Sequence, residues 1–118
     1  IFFTVYHWLV RRSILAALVD LECYEELLEV CLKSLEGEDE PVRETAVDAL
    51  GSLAGSPQHM AGLTQILALQ KAESPHMRIR VAYALKHFDD STAKDALTQL
   101  RQDADHRVVG AAMENLLP

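Results

Sequence analysis

The chain has 118 residues, 49% hydrophobic and 25% charged, with 11 Lys plus Arg against 18 Asp plus Glu for a formal net charge of −7. That balance describes one folding domain of ordinary size and excludes a disordered tail. It also argues against a nucleic-acid module, which needs clustered cations, and Arg11–Arg12 interrupts the one apolar run that approaches the roughly 18 residues of a membrane span.

Taken in chain order, the start carries Phe2, Phe3, Tyr6 and Trp8 without a Met, a basic n-region or a cleavage site. It reads as part of a longer protein rather than a secretory signal. The aromatics suit either packing on an upstream element or a patch through which the chain self-associates. Val10 to Leu18 is a first helical segment, and Glu22 to Leu35 a second, with Leu27, Leu28, Cys31, Leu32 and Leu35 on its apolar side. Cys23 and Cys31 fall in that second helix about 12 Å apart, too far for a disulfide. Lone thiols point to a reducing, cytoplasmic setting.

Further helices are predicted over Val42–Leu50, His59–Leu69, Met77–Leu85, Ala93–Leu100 and Val108–Leu116. The breaks between them hold Glu36–Pro41, Gly55-Ser56-Pro57, Glu73-Ser74-Pro75 and Asp89–Thr92. Pro41, Pro57 and Pro75 suit first helical turns, where a missing N–H costs nothing. Ser56, Ser74 and Asp90 or Ser91 suit caps. No segment alternates with period two, so the chain is all-α, with about seven helices.

One nine-residue phrase recurs. Val10-Arg11-Arg12-Ser13-Ile14-Leu15-Ala16-Ala17-Leu18 is echoed from Val42, Met77 and Val108, at intervals of 32, 35 and 31 residues. Its apolar positions at i, i+4, i+7 and i+8 make one stripe on a helix. With Asp39-Glu40-Pro41-Val42-Arg43 leading into Ala46, Ala49 and Leu50, the unit resembles HEAT-like repeats, and most of all the short kind of phycobilisome lyases and bacterial scaffold proteins. The resemblance implies a right-handed α-solenoid of about four helix-turn-helix repeats, in a single domain over residues 1–118.

In such repeats an acid before the second helix and an arginine inside it form a ladder between neighbours. Carried over, Arg11, Arg43 and Arg78 match the basic position, and Asp39 and Asp105 the acidic one. Ser74 stands for the acid in the third unit and Val109 for the arginine in the last, so the ladder is expected to fail towards the C-terminus. Leu18, Leu50, Leu85 and Leu116, with Ile14, Ala46, Val81 and Ala112, are the expected core. Leu28, Leu32, Leu63, Leu67 and Leu97 are expected to face them from the first helices.

At about 100° per residue, the opposite face of the second helices carries Arg12, Leu15, Ala16 and Val19, then Glu44, Val47, Asp48 and Gly51. Ile79, Ala82, Tyr83 and Lys86 follow, then Gly110, Met113 and Glu114. The resemblance implies that this face is concave. Glu44, Asp48, Ile79, Tyr83, Lys86, Met113 and Glu114 are therefore the expected partner-binding residues, with Tyr83 as anchor for a peptide or helix and the carboxylates favouring a basic one. The small residues of the same row equally suit close helix approach.

His7, His59, His76, His87 and His106 read as turn, cap or surface residues, although His76 and His106 begin successive second helices. No His precedes Glu, and no HExxH, GxSxG or phosphate loop occurs, so neither catalysis, a metal nor a cofactor is expected. The reading is a non-catalytic scaffold or adaptor that binds protein or peptide, not nucleic acid or membrane. Its rival, carried by the lyase resemblance, is a bilin lyase-like subunit handling a tetrapyrrole. A HEAT-like DNA glycosylase fits less well, because its groove should be basic.

Overall fold

Helices are laid down between the predicted breaks. The computed structural model describes the backbone of residues 2–118 and the side chains of residues 9, 10 and 12–118. The helices are α1 (Phe2–Asp20), α2 (Tyr24–Leu35), α3 (Glu40–Gly51), α4 (His59–Ala68), α5 (Pro75–Leu85), α6 (Ser91–Leu100) and α7 (His106–Leu116). No strand occurs among the described residues. The N-terminal aromatics and Arg11, on which expectations of docking and of a ladder rest, lie outside the described side chains.

Local chemistry explains the boundaries. Pro41 sits in the first turn of α3 and Pro75 opens α5, where Ser74 Oγ accepts from the Met77 N–H at 3.5 Å. Asp105 accepts from the Arg107 N–H at 2.8 Å and so starts α7. Two expectations shift. Pro57 precedes α4 rather than opening it, in a turn where Ser56 Oγ accepts from the Gln58 N–H at 3.1 Å. Cys23 is the cap position of α2, not part of it, because Glu22 turns the chain with a φ of 56°, in the left-handed region.

The hairpins α2/α3, α4/α5 and α6/α7 form the second, third and fourth units, and α1 stands as the second helix of the first. Second helices pack directly on one another, α1 on α3, α3 on α5 and α5 on α7, whereas first helices scarcely touch. The row of second helices, or inner row, is therefore the tight one. One core runs through all units, including Leu15, Leu27, Leu50, Leu63, Leu85 and Val108.

The repeated stripe is buried in three units. Val42, Met77 and Val108, then Ala46, Val81 and Ala112, are all buried, each on a second helix that packs on the first helix of its own hairpin. On α1 no described first helix covers the stripe, so Val10 is 42% and Ile14 43% exposed. Ile14 is thus not core. Leu18, Leu28, Leu67 and Leu116 are only partly buried, and Leu32 is exposed. On α2 the interior positions are one residue earlier than expected, at Leu27 and Cys31, both 0% exposed.

Candidate interaction face

The inner row is closer packed than its sequence pattern implies. Leu15, Val47 and Ala82, expected on the groove floor, are buried, on second helices that pack directly on one another. Gly51 explains the approach: a Cβ there would meet Ala84 Cα at 3.3 Å and His87 Cδ2 at 3.1 Å. Gly51 and Ala82 thus serve helix contact, whereas Ala16 and Gly110 of the same row are exposed. Met113 holds the same register on α7, where no described helix lies beyond it, and is 55% exposed.

What remains open is a line of side chains across α1, α3, α5 and α7. A depression of about 300 Å³ between α1 and α3 has Ala16, Val19 and Ala49 on its floor and Arg12 and Asp48 at its rim. Beside it, a polar hollow of about 240 Å³ is lined by Arg12, Glu44, Asp48 and Arg80. Arg80 Nη1 donates to Asp48 Oδ2 at 3.3 Å, and its Nε lies 3.8 Å from Glu44 Oε1. Further along, Tyr83 Oη donates to Glu114 Oε2 at 2.8 Å, which raises the phenol pKa. Partial burial raises the Asp48 pKa in spite of Arg80, which pulls the other way.

Of the expected binding residues, the structure joins Glu44 with Asp48 through Arg80, and Tyr83 with Glu114. Ile79 is half-buried against the core. Lys86 lies apart, lining a cavity of about 350 Å³ with Phe88, Asn115 and Leu116. Sequence reasoning missed Arg80. Its signal was the acid pair at i, i+4 on α3, which asks for a cation on the neighbouring helix.

The ladder differs in its acids. Arg78 Nε donates to Asp103 Oδ2 at 2.8 Å and Nη2 to Asp103 Oδ1 at 3.1 Å, while Nη1 reaches the Ala72 and Glu73 carbonyls at 2.6 and 3.0 Å. The acid is Asp103 because it lies on the turn facing α5. Asp105 instead binds Arg107 of its own helix at 2.8 Å, and that hydrogen bond holds its carboxyl far below the usual range. Asp39 makes no side-chain cap.

Arg43 is left with Glu40 at 3.6 Å, and Arg43 Nε and Glu40 Oε1 are shielded from solvent without a hydrogen-bond partner. Asp103 lies five residues before Val108, and the matching position before Met77 is Ala72. Ala72 and Arg43 line one cleft of about 440 Å³. The rung is therefore complete between the third and fourth units and lacks its acid between the second and third, opposite to the expected order.

The histidines part company. His76, His87 and His106 are exposed, whereas His59 hydrogen-bonds Ala54 and Asp90. No group of three His, Cys, Asp or Glu could hold a metal ion among the described residues, and none of their helices is long and apolar enough to cross a membrane. Cys23 and Cys31 are free thiols, and burial pushes Cys31 up to about 12.

Stacked helical hairpins around one continuous core define an α-solenoid. A family model described as HEAT repeats matches residues 28–117, so the chain belongs to the HEAT-repeat family. The matched span begins inside α2 and takes in α3 to α7. No curated protein and no solved structure matches the chain.

Proposed function

We propose that the chain is a non-catalytic interaction module whose inner face takes a peptide or helix, running from the apolar depression beside Ala16 to Tyr83 and Met113. HEAT-repeat membership supports a protein-binding role in general. The observation that carries the choice of face is the condition of Asp48. Its side chain is 45% exposed beside an apolar depression, and partial burial raises its pKa although Arg80, shared with Glu44, pulls the other way. A cation from a partner would offset that cost by favouring the ionised carboxylate, which supports a Lys- or Arg-bearing segment with an apolar residue for the depression.

Selecting displayed peptides on the immobilised chain and titrating the enriched ones by NMR tests this. Expected are basic-apolar sequences, amide shifts along α1, α3 and α5, and at least a tenfold loss of affinity in Asp48→Ala. Enriched peptides that map to the first-helix side would refute the choice of face.

A further inference from the structure

The first helices of the third and fourth units are held by two polar clasps, one at each end. Gln70 Nε2 donates to Gln99 Oε1 at 2.7 Å where α4 and α6 end. Where they begin, His59 Nδ1 lies 2.5 Å from the Ala54 carbonyl oxygen and Nε2 lies 2.7 Å from Asp90 Oδ1. Neither oxygen has a proton to give when Asp90 is ionised, so the ring must donate from both nitrogens. A neutral imidazole carries one N–H, and only the imidazolium makes both bonds. The edge of Phe88 packs on the ring with centroids 5.1 Å apart.

Asp90 adds a second, independent observation. It occupies the N-cap position of α6 but makes no side-chain cap bond, because its carboxylate is turned to His59. The first turn of α6 thus forgoes a cap that the same residue would supply. Two arrangements compete for one carboxylate.

We propose that His59 is a pH-operated clasp between the third and fourth units: the imidazolium ties α4 to the start of α6, and its deprotonation releases Asp90 to its own helix and lets the outer row open. The charged groups acting on the ring are Asp90 and Asp89, both on the turn into α6, and the segment before α4 presents the Ala54 carbonyl. The Ala54 hydrogen bond and then the Asp90 one raise the His59 pKa, with desolvation opposing. A raised value means that the clasp is fully made below the ordinary imidazole value of 6.5 and is lost as pH rises through the folded value. Once the ring is neutral, a nitrogen lone pair faces an acceptor oxygen, and that contact opens. The inference rests on the stacking of two units and is independent of what the inner face binds.

Two measurements on the whole chain test it. Nitrogen-15 spectra of the histidine rings should show both His59 nitrogens protonated at about pH 6, with a midpoint above 6.5. Nitroxides at Met60→Cys and Thr92→Cys, in a Cys23→Ser background, report the distance between the starts of α4 and α6. Cys31, buried with its thiol pushed up to about 12, stays unlabelled. The distance distribution should be narrow at about pH 6 and longer or broader at about pH 9, and in His59→Gln it should be the same at both. Asp90→Asn serves in its place if that variant does not fold. A His59 midpoint at or below 6.5, a distance unchanged with pH, or an equal change in His59→Gln overturns the proposal.

Discussion

Arg78 and Asp103 face each other across the boundary between the third and fourth units in a paired contact of 2.8 and 3.1 Å, with side chains only 16% and 12% exposed. Both atom pairs are charge-assisted, and both side chains are largely withdrawn from water. Replacing Arg78 by Met, or Asp103 by Asn, should cost about 2–3 kcal/mol, read by urea unfolding.

Acid should act on the same pair. Burial alone would raise the Asp103 carboxyl, but the Arg78 hydrogen bond and the Asp105 N–H outweigh it and hold it below the ordinary value of 3.8. A lowered folded pKa gives stability that is complete above 3.8 and is lost as pH falls through the folded value. Asp103→Asn should therefore show a shallower loss of melting temperature below about pH 4 than the parent chain.

The missing rung can be restored. Ala72→Asp places a carboxylate in the cleft beside Arg43, as Asp103 stands to Arg78. A gain of about 0.5–1 kcal/mol is expected by thermal melting. The gain should vanish when Arg43→Met is present, since a double-mutant cycle isolates the pair.

Glycine tests how closely the second helices approach. Gly51→Val should cost about 2 kcal/mol, because Ala84 Cα and the His87 ring already lie where its Cβ would be. Gly110→Ala meets nothing within 4 Å and should stabilise α7 by about 0.5–1 kcal/mol. Calorimetry of the two variants gives opposite signs if the inner row is as tight as described.

Leu50→Ala should remove about 3 kcal/mol from a fully buried site, and Leu85→Ala about as much. Ile14→Ala, at a matching repeat position but 43% exposed, should cost under about 1 kcal/mol.

That contrast marks where sequence was informative. Repeat spacing located the second helices, and amphipathic segments between the repeats located the first helices of the described residues, because Pro41, Pro75 and the stripe from Val42, Met77 and Val108 act locally. It could not tell Ile14 from Ala46 and Val81, since burial depends on whether another helix lies over the stripe. Nor could it place Val47 and Ala82, whose apolar character serves contact and exposure alike until the separation of α3, α5 and α7 is known. Asp103 was obscured by Asp105, two residues nearer the helix and therefore the more obvious acid. His59 was dismissed for want of a sequence neighbour, as its partner Asp90 is 31 residues away.

The unequal tightness of the two rows gives the solenoid a mechanical character. With Leu15, Val47 and Ala82 buried on second helices that pack directly on one another, the inner row resists stretching, and it acts as the neutral axis of a bent strip. The outer row, joined at α4 and α6 by the His59 and Gln70 contacts, is the compliant edge. Flexing should open gaps along the back while the spacing from Asp48 to Tyr83 stays fixed. The inner face then works as a ruler of constant length whose curvature alone can be adjusted.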